Sequence, residues 1–297
     1  MKSLNRRTFL MSGALAASST AAISKLDEVL REGIRRRKIP AVAAAVANAR
    51  ETLYSSAFGI RDQASQKPVD TGSIFGIASM TKAITTAAAL QLVEQGKLTL
   101  DDPIGKHLPE FANLQVIQAD GTLRPAARPP LLRHLLTHTG GFAYEIWNGD
   151  LMRHYARLGP ANRPAIQPLM TDPGTRWEYG TNIDWVGRTV EAVSGMTLEA
   201  YFQKNILQPL GMGDTSYILT PAMFTRKAST WRRNAFGVLQ EDPYVLPPPQ
   251  TSFNGGGGLY STTADYVKFM QMILNKGAGV LQPASVASMS ANQIGKL

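Results

Sequence analysis

The chain has 297 residues, 44% hydrophobic and 18% charged, with no cysteine and a formal net charge of +9. This balance excludes a charge-driven disordered chain, and zero cysteines exclude a disulfide framework, a thiol nucleophile and any cysteine-ligated zinc or iron–sulfur site. Residues 1–23 carry +3 of the charge and residues 24–50 carry +4, which leaves +2 for the rest, so the body lacks the distributed basic face of a nucleic-acid binder.

The first element is a leader. Asn5-Arg6-Arg7-Thr8-Phe9-Leu10-Met11 and the mild apolar stretch to Ala17 give the charged start, short apolar region and small residues of a secretory signal. The paired arginines followed by Phe-Leu fit the twin-arginine variety, which implies export to a periplasm and a fold that begins at Ser24. The apolar stretch falls far short of the roughly 20 residues a membrane-spanning helix needs. Ser24 with Asp27 then makes a capping-box-like start, Leu26, Val29, Leu30 and Ile34 recur at helical spacing, and Pro40 stops that helix. Its last turn holds Arg35-Arg36-Arg37-Lys38, read as solvated charge complementing the helix dipole.

Ala41–Ala47 and Thr52–Phe58 read as two strands joined at Asn48-Ala49-Arg50, the one β-hairpin visible in the pattern. Helices follow over Met80–Gln95, closed by Gly96, and over Leu131–Leu136, stopped by Gly140-Gly141. Ile183–Val193, Leu198–Leu207 and a helix capped by Thr262 with Asp265 complete the series. Pro- and Gly-rich stretches at 124–130, 159–168, 243–249 and 255–258 read as loops. The pattern predicts an α+β protein over residues 24–297, with a mostly helical region at about 75–250.

Ser79-Met80-Thr81-Lys82 is the only Ser-x-x-Lys in the chain and opens a predicted helix. Positions three apart share a helix face, so Lys82 can reach the Ser79 hydroxyl. A serine hydroxyl becomes a nucleophile when a neighbouring base takes its proton, and a lysine can do so if burial or nearby positive charge lowers its pKa. The helix N-terminus, with the Ser79 backbone N–H, is a ready oxyanion site. His134 and His138 sit four apart, a spacing that can suit zinc, but no third ligand is evident and structural hydrogen bonding is the reading adopted. Gly255–Gly258 reads as a tight turn, since no Lys-Ser/Thr follows as in a phosphate loop. Trp147, Trp177, Trp185 and Trp231 are core or pocket residues, and Trp177, two residues from Tyr179, is the best pocket candidate.

The order of motifs carries more than any one of them. Phe75–Lys82, Leu92-Val93-Glu94-Gln95-Gly96-Lys97-Leu98, Leu100-Asp101-Asp102-Pro103 and Leu132–Gly141 come first; Pro173–Asn182, Pro209-Leu210-Gly211-Met212 and Gly256–Thr262 follow. Together they resemble the serine β-lactamase-like family, which includes class C β-lactamases, D-alanyl-D-alanine peptidases and family VIII esterases. The resemblance implies an antiparallel sheet flanked by helices beside a mostly helical region. It implies Ser79 as the acyl-accepting nucleophile, Lys82 as its proton partner and Tyr179 as a second general acid or base, with no metal or organic cofactor. Either Lys82 or Tyr179 can be the base on this reading.

The chain departs from the family pattern twice. Thr181 stands where lactamases and peptidases have the Asn of Tyr-x-Asn, with Asn182 one place later; Thr181 and Asn182 join Trp177 as pocket candidates, and the looser motif favours ester substrates. After Thr262 the later strand bearing Lys-Thr-Gly or His-x-Gly is not found, so the chain resembles a member that stops before its last strands. Losing that strand's oxyanion donor would cost roughly 10²–10³ in rate. The expected function is therefore a periplasmic serine hydrolase acting on small esters or amides. The alternatives are a β-lactamase or D-alanyl-D-alanine carboxypeptidase, and an inactive truncated or penicillin-binding noncatalytic relative.

Overall fold

The structure is a computed structural model that describes residues 25–297; the leader over residues 1–23 and Ser24 lie outside the described residues. In chain order the elements are α1 (residues 25–37), β1 (Ala41–Ala47), β2 (Thr52–Gly59), β3 (Phe75–Gly76) and α2 (Thr81–Glu94). Then come β4 (Gln115–Ile117), β5 (Leu123–Pro125), α3 (Leu132–Leu136), α4 (Gly149–Leu158), α5 (Asn182–Ser194) and α6 (Leu198–Phe202). The last are α7 (Pro221–Phe224), β6 (Trp231–Arg233), β7 (Leu239–Glu241), β8 (Tyr260–Ser261), α8 (Thr263–Leu274) and α9 (Pro283–Ser290). The α+β class expected from the pattern is the one observed. Among the described residues no helix is long and apolar enough to cross a membrane.

The chain divides into two compact units interleaved along the sequence. The first comprises the segment up to Phe75, Leu219–Pro247 and Thr262–Val267. In it β1 and β2 pair antiparallel, Ala41 opposite Gly59 and Val46 opposite Tyr54, with a bulge between Val46 and Ala47. Two contacts hold α1 to β2: the Tyr54 hydroxyl donates to Asp27 at 2.6 Å, and the Arg31 guanidinium lies 4.0 Å from the centre of the Phe58 ring. Gly59 is obligatory here, because its φ is +100° and a Cβ would stand 2.1 Å from the Pro40 carbonyl oxygen.

The second unit comprises Gly76–Ile218, Pro248–Ser261 and Lys268–Leu297, and α2 is its central element. Ile84, Ala87, Ala88, Ala89 and Leu92 are all essentially inaccessible to solvent, so α2 is buried around its circumference, as a helix with little polar face must be. α5 packs on α2 and on α3, contributing the buried Val186 and Val190. Small residues on α2 allow a close approach, and this approach brings the N-terminal ends of α2 and α5 to one place.

The structure holds more strand than the sequence reading found. Besides β1–β2 there are two further antiparallel hairpins, β4–β5 and β6–β7. Their three-residue strands are too short to show a period of two. Each depends on its turn: Asp120 accepts from the Thr122 N–H and hydroxyl, and Asn234 Oδ1 accepts from the Phe236 and Val238 N–H groups. The expected helix over Leu198–Leu207 is α6 followed by a π-helical turn over Gln203–Leu207. α4 was unread, although Asn148 caps it by accepting from the Leu151 N–H and Leu151 and Tyr155 are buried one turn apart.

Replacing Leu92 with Ala removes a fully buried side chain from the central helix. A loss of roughly 2–5 kcal/mol is expected from such a truncation, read as a lower urea midpoint followed by tryptophan fluorescence.

Candidate active site

Ser79 lies in a single 3-10 turn, Ala78–Met80, that leads into α2. Ala78 adopts φ +44°, a left-handed conformation that costs a non-glycine residue energy, and the turn leaves Ser79 exposed at the helix start. One turn on, Lys82 is only 9% exposed, and its Nζ donates to Ser79 Oγ at 3.1 Å, Tyr144 Oη at 3.2 Å and the Gly256 carbonyl oxygen at 2.7 Å. An ammonium has three N–H donors, and each has an acceptor here.

The Gly256 carbonyl reaches Lys82 because the glycine turn runs tightly against two helices. A Cβ on Gly255 would stand 2.4 Å from the Ile183 carbonyl oxygen, and one on Gly256 2.4 Å from Asp184 Oδ1. Gly187 on α5 faces Gly255 in the same close approach, with a Cβ there 3.0 Å from the Gly255 Cα. The Thr85 hydroxyl donates to the Gly255 carbonyl at 2.7 Å and the Gly256 N–H donates to Asp184 at 2.7 Å. The run 255–258 is thus the tight turn that was expected, and it also borders the reactive cluster.

Tyr179 joins the cluster from the loop before α5, its ring 5.0 Å from Lys82 Nζ. Burial pushes the Tyr179 phenol up, but hydrogen bonding to Ser79 and Lys82 and the charge of Lys82 outweigh it and hold the pKa below the ordinary 10. For Lys82, burial works to lower the pKa, as the sequence reading anticipated, but hydrogen bonding to Tyr179 and Tyr144 prevails and the pKa is raised. The arrangement therefore favours a charged lysine beside an acidified phenol. Sequence reasoning missed Tyr144. It stands three residues beyond the Gly140-Gly141 pair, and nothing in a lone tyrosine marks it as a lysine partner.

The other candidates separate. Trp177 and Trp147 are 47% and 67% exposed, with ring centres 6.4 and 5.7 Å from that of Tyr179; they form an apolar rim around its phenol. Trp147 also meets Tyr144 edge-on at 5.4 Å. Trp185 is instead packed edge-on to Phe111 at 4.9 Å. The Thr181 hydroxyl donates to Gln167 at 3.0 Å. Asn182 is fully buried, and its amide donates to the Phe142 carbonyl at 3.2 Å, bracing the loop that carries Tyr144. A cavity of about 630 Å³ between α2, α3 and residues 288–297 is lined by Ala83, Leu90, Leu136 and Ile294, and by none of this cluster.

His134 and His138 do not share a helix face. α3 ends at Leu136, and His138 lies past it with φ +56°. His134 Nδ1 accepts from the Leu131 N–H at 3.2 Å and caps α3. His138 Nδ1 faces the Asn182 amide at 3.3 Å and the Gly180 N–H at 3.5 Å, both donors, so the ring is held neutral. Burial, helped by the charge of Lys82, lowers its pKa from 6.5 to about 4. Among the described residues no three His, Cys, Asp or Glu side chains gather as a metal-ligand set.

Between these two pKa values the unfolded chain binds a proton at His138 that the folded chain does not. This contribution to stability is complete above pH 6.5 and is lost as pH falls toward about 4. The urea midpoint is expected to drop across that window. His138→Asn keeps an acceptor and tolerates a left-handed φ, so it should flatten the drop, leaving the smaller slope of His134, whose pKa burial also lowers.

The family model described as Beta-lactamase matches residues 26–295. The monacolin J acid methylbutanoyltransferase of Aspergillus terreus is 34% identical over 300 residues, covering 92% of this chain and 72% of that protein. The lovastatin esterase of Penicillium rubens is 32% identical over 269 residues, covering 82% of this chain and 66% of the esterase. Among solved structures, a variant of the simvastatin synthase LovD from Aspergillus terreus superposes with a TM-score of 0.79 at 33% identity, covering 93% of this chain and 70% of that one.

Proposed function

The chain belongs to the β-lactamase family, and on that premise we propose that it is a serine acyl-transfer enzyme that carries the acyl group of a small ester on Ser79 and passes it to water or to an alcohol. The observation that carries this reading is the contact of one exposed hydroxyl, Ser79 Oγ, with the buried Lys82 ammonium beside an acidified Tyr179. The family's transferase and esterase relatives support the same chemistry.

In the proposed cycle Tyr179 takes the Ser79 proton as Oγ attacks the ester carbonyl. Lys82 keeps its own proton and stabilises the tyrosine in its basic form. The Ser79 N–H and the positive end of α2 receive the developing oxyanion. Collapse breaks the acyl–oxygen bond and Tyr179 returns its proton to the leaving alkoxide. A water or alcohol, deprotonated by Tyr179, then attacks the acyl-serine, and its proton passes to Ser79 Oγ as that bond breaks. Two features favour esters over lactams. The Asn182 amide is committed to the Phe142 carbonyl, and Thr181 replaces the asparagine of Tyr-x-Asn. The exposed indoles of Trp147 and Trp177 favour a substrate with a flat apolar portion. The Arg6-Arg7 leader supports the periplasm as the place of action.

A fluorophosphonate probe should label the wild type and not Ser79→Ala, while a fluorescent penicillin should label neither; Ser79-independent labelling would remove the nucleophile from the proposal. Tyr179→Phe should lower kcat on a p-nitrophenyl ester by about 10²–10⁴, the usual contribution of a general acid–base. Trp177→Ala should raise KM for esters with a bulky apolar part and leave p-nitrophenyl acetate turnover nearly unchanged.

A further inference from the structure

One acidic group belongs to the cluster without touching Ser79. Asp184 sits in the first turn of α5, where a carboxylate ordinarily complements the helix dipole. Here it has a second partner: its Oδ1 accepts from the Gly256 N–H at 2.7 Å, and the Gly256 carbonyl accepts from Lys82 Nζ at 2.7 Å. One carboxylate is thus linked to the site's cation through a single residue: the N–H belongs to the 255–256 peptide and the carbonyl to the 256–257 peptide. Both peptides lie in a run of four glycines, Gly255–Gly258, the residues least able to resist rotation of a peptide plane. If the 255–256 peptide turned over, its N–H would leave Asp184 and the Gly255 carbonyl would leave the Thr85 hydroxyl to face the carboxylate, a repulsive contact. If the 256–257 peptide turned over, Lys82 would lose an acceptor. The carboxylate therefore holds the 255–256 peptide in one sense, and with it the residue whose carbonyl meets Lys82.

We propose that Asp184 is a positioning residue: it anchors Gly256 by its N–H, so that the carbonyl of the same residue holds Lys82 Nζ against Ser79 and Tyr144. This rests on the reading of Ser79, Lys82 and Tyr179 as the acyl-transfer machinery. The fit is close at the atomic scale, since a Cβ on Gly256 would stand 2.4 Å from the very oxygen that accepts the N–H. Burial raises the Asp184 pKa, while the Gly256 N–H and Lys82 oppose that rise. The charged and titratable groups that sense this carboxylate are Lys82 on α2, Tyr144 and Tyr179 on their loops, and Tyr217. Its negative charge raises the Tyr179 pKa directly. Its hydrogen bond acts in the opposite sense, because it keeps the Lys82 cation beside Tyr179.

Two substitutions separate the hydrogen bond from the charge. Asp184→Asn retains an oxygen for the Gly256 N–H, whereas Asp184→Ala removes the acceptor. In the Ala variant the rate of fluorophosphonate labelling of Ser79 and kcat for a p-nitrophenyl ester should fall about 10- to 100-fold, the scale of a small misplacement of reacting groups, with KM nearly unchanged. The Asn variant should recover most of that rate, with the ascending limb of its pH profile displaced to lower pH because the charge opposing the Tyr179 phenolate is gone. If the Ala variant does not fold, Asp184→Ser, whose hydroxyl is too short to reach Gly256, replaces it. Wild-type labelling rates in the Ala or Ser variant, or an Asn variant as slow as they are, would overturn the proposal. Crystal structures decide the point without any substrate: the Gly256 carbonyl should turn from Lys82 in the Ala or Ser variant, and an unmoved carbonyl overturns it. A wild type that no probe labels at Ser79 would instead refute the acyl-transfer reading and leave the crystallographic result standing.

Discussion

A cation placed where water barely reaches is the constraint on which the site depends. Taking an ammonium out of water costs several kcal/mol unless protein groups replace its hydration. Lys82 meets that requirement with acceptors from three parts of the chain: the hydroxyl one turn before it, a phenol from the 138–144 loop and a peptide carbonyl of the glycine turn. Moving any of the three segments strands the charge. The packing of α5 on α2, the capping of α3 and the bracing of Phe142 by Asn182 can all be understood as holding those segments in place.

The opposed pKa shifts of Lys82 and Tyr179 are one interaction seen from its two ends. Hydrogen bonding and charge between them raise the lysine and lower the tyrosine, and in both residues this prevails over burial. Bare desolvation would have lowered the lysine pKa. The phenols reverse that direction, and in the proposed cycle the role of base passes to the group whose conjugate base the cation stabilises.

Much of this was legible in the sequence. Ser79 and Lys82 lie three apart where a 3-10 turn leads into α2, so local geometry alone brings them together, and the α1, β1–β2 and α2 boundaries follow from Pro40, the turn at Asn48-Ala49-Arg50 and Gly96. Tyr144 and Asp184 were not legible. Their partners lie 62 and 72 residues away, and a tyrosine in a loop or an aspartate in a first helical turn has an ordinary local explanation. The hairpins β4–β5 and β6–β7 escaped because three residues show no alternation. The histidine pair makes the structural hydrogen bonds expected of it, but not on one helix face: a spacing of four implies a shared face only while the helix continues, and α3 ends before His138.

The glycine turn has a consequence for how such a protein can diversify. Gly255 and Gly256 would each drive a Cβ to 2.4 Å from an oxygen atom, and Gly258 has φ +110°; only Gly257 would meet nothing nearer than 3.7 Å. At three of the four positions a side chain would therefore force a shift of neighbouring atoms or a strained backbone. The rim indoles Trp147 and Trp177 stand largely in solvent and bear little of the packing. Heritable change in what this site accepts has room at that rim, while the wall behind Lys82 can vary without such strain at scarcely more than one position.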